Sequence, residues 1–99
     1  MSIRHMVVFN LKSEEEGGAG ADAFFAKAED LLWPIPHASN ISRYRQTNAM
    51  CPYAYGFSFD FAGQEDYDAY NNHPDHIRFV EEWWKTQVTD FMEVDFESA

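Results

Sequence analysis

The sequence predicts a ferredoxin-like α+β fold with the element order β-α-β-β-α-β, packed as one half of a dimeric α+β barrel. Three observations predict it. Runs with strand-like alternation stand at 3–11, 41–47, 54–62 and 91–97. Segments of helical period separate the first run from the second and the third from the fourth. The first run is apolar on both of its faces. An antiparallel sheet with its helices on one side is the arrangement that this order favours. A chain of 99 residues has material for one such sheet, so residues 1–99 are expected to form a single domain.

In the first strand, Ile3, His5, Val7, Phe9 and Leu11 point one way, and Arg4, Met6, Val8 and Asn10 the other. The acidic, glycine-rich SEEEGGAGAD that follows suits a flexible loop that carries solubility more than chemistry. Ala21, Phe24, Phe25, Ala28, Leu31 and Leu32 then recur at helical spacing, and Pro34 and Pro36 stop that helix. Residues 41–47 read as a second, more polar strand, joined by a hairpin loop at 48–53 to a third. There Tyr55, Phe57, Phe59 and Phe61 alternate with Gly56, Ser58 and Asp60. A short helix is expected from Gln64 to about Asn71. Pro74 opens another, because proline suits a first helical turn, where its missing N–H has no partner to lose. Phe79, Val80, Trp83, Trp84 and Val88 continue as an apolar stripe, and residues 91–97 close the chain as a fourth strand.

Helices on one side of this sheet leave Met6 and Val8 without cover. The sheet of a second copy is the cover expected at this length, which gives a two-fold homodimer with a shared barrel-like core. Composition favours folding: 45% hydrophobic and 17% aromatic residues supply a core and argue against disorder. The formal net charge of −10 repels phosphate backbones and anionic lipid, so neither nucleic acid nor a membrane surface is an expected partner. Cys51 is the one cysteine, and neither a CxxC nor a Cys/His finger spacing occurs. The opening MSIRHMVVFNLK reads as neither a signal peptide nor a membrane span, so a cytoplasmic location is expected.

The histidines carry the candidate chemistry. His5 shares the side of Ile3, Val7 and Phe9, which is assigned to the helices. His76 falls in the first turn after Pro74, and its spacing to Phe79, Val80 and Trp83 puts it on the inward stripe. The two rings are expected to meet between sheet and helices. A helix start is electropositive, so His76 should resist protonation and remain a neutral base near pH 7, with Asp75 opposing that shift. Tyr70, one turn earlier, brings a hydroxyl that can polarise a carbonyl or steady an oxyanion. His76, Tyr70 and His5 are therefore the candidate catalytic groups, suited to removing a proton next to a carbonyl. Phe24, Phe79 and Trp83 are candidate walls of an apolar pocket for a small hydrophobic or aromatic carbonyl ligand. No cofactor is expected. Each residue also has a structural reading: the histidines as hydrogen-bonded core groups, Tyr70 as a core ring, and His73 as a residue near the helix N-cap. A metal held by His73 and His76 is disfavoured, because Pro74 makes position 73 pre-helical.

Three stretches carry a family resemblance. IRHMVVFNLK, YDAYNNHPDHIRFV and VDFE resemble the first strand, the Tyr-x-x-His-Pro-x-His motif and the last strand of the stress-responsive A/B barrel (Dabb) family, over nearly the whole chain. The resemblance implies a dimeric barrel of ferredoxin-like subunits. It spans stress-induced proteins of unsettled activity and cofactor-independent polyketide cyclases of the olivetolic acid cyclase type. Carried over from that branch, the base falls on His76 and the assisting hydroxyl on Tyr70, with His5 lining the same pocket. If the chain is an enzyme, the resemblance implies a cofactor-independent cyclase, lyase or isomerase. The alternatives are a non-catalytic stability or assembly protein with structural histidines and, from shared fold alone, an oxygenase akin to the antibiotic-biosynthesis monooxygenases.

Overall fold

The structure, a computed structural model, describes residues 2–99. Its strands β1 (Ile3–Leu11), β2 (Ser39–Arg45), β3 (Tyr55–Phe61) and β4 (Val88–Phe96) form one antiparallel sheet of order β2-β3-β1-β4. Helix α1 (Ala21–Leu31) connects β1 to β2. The second crossover holds α2 (Gln64–Asn72) and α3 (Pro74–Phe79), which runs through a π-turn (Val80–Trp84) into a last turn, α4 (Lys85–Gln87). This is the ferredoxin-like order that the alternation predicts.

The differences are local and have local causes. The loop after β1 contains a 3₁₀ turn, Glu14–Glu16, held by a capping box: Ser13 Oγ accepts from the Glu16 N–H, and Glu16 Oε1 accepts from the Ser13 N–H at 2.9 Å. Gly18 closes that turn, and a side chain there would collide with the Lys12 carbonyl. β2 begins two residues earlier than expected and stops at Arg45, because Gln46 turns to the loop, where its side chain accepts from the Asn48 N–H. β4 begins at Val88, which pairs with Leu11 across a bulge instead of ending the helical stripe.

Alternation delivers two unlike faces. On the inner face, His5, Val7 and Phe9 stand opposite Phe59, Phe57 and Tyr55 of β3, and opposite Asp95, Glu93 and Phe91 of β4. Helix α1 seats Phe24, Phe25, Ala28 and Leu31 against it, and α3 adds Phe79. Phe9, Phe24, Phe57 and Phe79 are almost fully buried, with ring centroids 5.0–6.2 Å apart in offset and tilted pairs. Truncating one of them to alanine should cost about 3–5 kcal/mol. The outer face carries no helix. Met6 and Val8 lie beside Val94 and Met92 there, with Tyr44 at one side, and Met92 is 53% exposed.

Candidate functional site

A cavity of about 380 Å³ opens between the inner face of the sheet and the α2–α3 crossover. Its floor is β1 and β3, through His5, Val7, Phe57 and Phe59; Tyr70, His76 and Phe79 come from the helices above. The local sequence explains how the helices deliver these groups. His73 ends α2 and caps α3 at once. Its N–H donates to the Tyr70 carbonyl at 3.1 Å, and its Nδ1 accepts the Asp75 N–H at 3.1 Å. Pro74 then fixes the first turn, and His76 follows on the side facing Tyr70, with ring centroids 5.0 Å apart. His73 is thus an N-cap, as its position suggested.

His76 is held below the ordinary histidine range. Burial is the main cause, the nearby His5 and His73 rings act in the same direction, and a hydrogen bond with the Asn71 backbone opposes them. The direction matches the sequence expectation, but desolvation leads it. At neutral pH His76 is therefore an uncharged imidazole. Tyr70 is 2% exposed, and its hydroxyl has no hydrogen-bond partner among the described residues. Burial drives the phenol's ionisation well above its usual range, so Tyr70 keeps its proton and can only donate it in a hydrogen bond or accept one. A neutral base and an unpaired donor thus share one apolar cavity.

His5 is differently placed. Its Nδ1 lies 2.6 Å from Asp95 Oδ1 and 2.8 Å from the Tyr67 hydroxyl, while Tyr67 donates to both Asp95 oxygens at 3.0 and 3.1 Å. On the other side of the ring, Nε2 lies 3.9 Å from Glu93 Oε1. Burial first, and Asp95 second, hold the Tyr67 phenol in its protonated form. His5 is therefore an anchored ring, whereas His76 stands against Tyr70 with no such carboxylate.

Two of the expected pocket walls lie elsewhere. Phe24 does not line the cavity; it is 1% exposed and locked among Phe9, Phe57, Phe79 and Trp84. Trp83 does not line it either, and Trp84 does. The reason is the π-turn: the Lys85 N–H reaches back five residues to the Val80 carbonyl, so one extra residue enters the turn and the inward stripe moves on by one position. Phe79, before that turn, lines the cavity as the helical spacing predicts. Tyr67, Glu93 and Asp95 are not singled out in the sequence analysis above, and Trp84 stands there only as one residue of the apolar stripe. Tyr67 was recoverable, standing three before Tyr70 on the same helix face, and Glu93 and Asp95 share a strand face with Phe91. Among the described residues, no group of three or more His, Cys, Asp or Glu side chains is placed to hold a metal ion. No helix among them is long and apolar enough to cross a membrane.

Comparison with known proteins bears on the fold and the family. A family model described as the stress responsive A/B barrel domain (Dabb) matches residues 3–98. A ferredoxin-like Dabb family protein from Mesorhizobium loti is 37% identical, with a TM-score of 0.88 over 99% of this chain and 97% of that one. A dimeric ferredoxin-like protein of unknown function from Thermobifida fusca is 22% identical, with a TM-score of 0.77 over 97% and 90%. A hydroxynitrile lyase from Passiflora edulis is 14% identical, with a TM-score of 0.79 over 96% and 91%. At these lower identities the likeness is one of fold. Among curated proteins, none matches.

Proposed function

Because the chain belongs to the stress responsive A/B barrel domain family, we propose that it is a homodimer that performs cofactor-independent acid–base chemistry on a small apolar carbonyl compound. The observation that carries this is the pairing of a neutral, partly buried His76 with the unpartnered Tyr70 hydroxyl at one cavity. The Tyr70 O–H donates to the substrate carbonyl oxygen, and His76 takes a proton from the adjacent carbon. The C–H pair of electrons moves into the enolate, whose oxygen the same hydroxyl steadies, and His76 then returns the proton or passes it on. Such a step is common to aldol-type cyclisation and to isomerisation next to a carbonyl. A hydroxynitrile lyase of the same fold supports a lyase version, in which His76 takes a proton from a hydroxyl instead. The O–H electrons then form the carbonyl, and the carbon leaving group departs with the electrons of its bond.

His5 fits a supporting role better, since Asp95 and Tyr67 already bind one of its ring nitrogens. Dimerisation through the outer face is supported by its uncovered Met6, Val8, Met92 and Val94, and by the dimeric proteins that share this fold. The test of the chemistry is α-proton exchange into D2O, followed by NMR on simple aryl methyl ketones. The wild type should accelerate exchange and His76→Gln should abolish the acceleration while keeping the native far-UV spectrum. Exchange that survives the substitution would sink the assignment.

A further inference from the structure

The charges at the cavity mouth bear on the substrate class, an inference that rests on the acid–base reading above. Two charged side chains of opposite sign line the cavity, Lys85 and Glu93. Lys85 is already engaged, with its Nζ 2.5 Å from Glu81 Oε1. Glu93 has no lysine or arginine partner among the described residues; its one basic contact is His5 Nε2 at 3.9 Å. Asp95, two residues on along the same strand face, holds the other nitrogen of that ring. His5 therefore stands between two carboxylates, and the chain as a whole carries a net charge of −10.

We propose that Glu93 makes the cavity select neutral carbonyl compounds and exclude their carboxylate- or phosphate-bearing counterparts. An anionic group entering here leaves water for walls made of Val7, Phe57, Phe79 and Trp84, and the one lysine among the described lining residues, Lys85, is shared with Glu81 in an exposed pair. The anion meets instead the carboxylate of Glu93, which lines the same cavity, through a medium less polarisable than water. Glu93 is 58% exposed, so solvent and salt weaken that repulsion without removing it. Turnover of an acid would then require its ester, amide or decarboxylated form, and a reaction that masks or removes the charge would have to come first.

Methyl 4-acetylbenzoate and 4-acetylbenzoate share one aryl methyl ketone and differ in carrying an ester or a carboxylate, so they test this directly. Dissociation constants from NMR titrations at neutral pH and low salt should favour the ester by at least ~10-fold in the wild type. Glu93→Gln should shrink that ratio to about 3-fold or less, and Glu93→Lys should bring it to unity or invert it. An acid that binds as well as the ester, a ratio that Glu93→Gln leaves unchanged, or an ester that does not bind at millimolar concentration would each overturn the proposal. Deuterium exchange at the ketone methyl group, read in the same samples, tests the acid–base reading separately. The expected ratio without exchange keeps the charge selection and removes the chemistry, whereas exchange with equal affinities does the reverse.

Discussion

Replacing Tyr70 by phenylalanine should make the protein more stable and less active, and the two signs together identify what the hydroxyl does. The Tyr70 ring is 2% exposed and packs on Phe59, Phe61 and His76 at centroid distances of 5.4, 5.2 and 5.0 Å, contacts that a phenylalanine ring keeps. Only the oxygen is lost, and that oxygen is buried without a partner. Burying an unsatisfied hydroxyl costs about 1–3 kcal/mol. Taking the lower end, Tyr70→Phe should gain about 1 kcal/mol, which in a domain of this size raises Tm by about 4–8 °C. Thermal unfolding followed by circular dichroism measures it, at one protein concentration for both forms because association shifts Tm. Ketone α-proton exchange on the same samples should fall by about 10²-fold, the scale of one lost oxyanion donor. A variant that melts below the wild type would mean that the hydroxyl is satisfied in the folded protein. Unchanged exchange would mean that it takes no part in the chemistry.

Two further outcomes follow from the same geometry. Because burial lowers the His76 pKa in the fold, the unfolded chain binds more protons than the folded one between the folded value and about 6.5. Stability should therefore be at its full value above that pH and decline as the pH falls towards and through the folded value. His76→Gln should flatten this part of the profile in urea titrations, and an unaltered slope would contradict the shift. On the outer face, Val94→Asp puts a charge beside Met6. Each unpaired charge buried costs about 3 kcal/mol, and a two-fold dimer buries two, so the dissociation constant should rise by about 10⁴-fold. Light scattering should show the change from dimer to monomer, and an unchanged mass would mean that the copies meet elsewhere.

The sequence displays the sheet well, because alternation in β1 and β3 is a property of consecutive residues and needs no knowledge of the fold. It displays the helix start at Pro74 for the same reason: the proline and the capping His73 act on their immediate neighbours. Alternation and helical spacing direct His5, Tyr70, His76 and Phe79 to the space between sheet and helices, and the family resemblance points to the same pocket. All four line the cavity. What was hidden depends on partners far along the chain. Asp95 finds His5 across a separation of 90 residues, and nothing in the stretch around either announces the other. The exchange of Trp83 for Trp84 has a different source. A single i-to-i+5 hydrogen bond displaces every later position on a helical wheel, and no local propensity in VEEWW marks it. Phe24 was misplaced because a helical stripe gives the inward direction and not the depth, and depth here is set by Phe9 and Phe57 beneath it.

The molecule is a slab only about 17 Å through its thinnest direction, and β1 is the layer through which both of its sides are written. Odd-numbered residues of that strand supply the cavity floor, and even-numbered ones supply the uncovered face. A one-residue slip of β1 against β3 would therefore not loosen one function while sparing the other. It would send Met6 and Val8 under the helices and turn His5 and Val7 outward, spoiling the cavity and the uncovered apolar face in one error. Few strands have their register checked from both sides. In this one, a misaligned chain would spoil the cavity and the uncovered apolar face together, so on the proposed dimer a copy that pairs through that face would by that fact have an aligned cavity.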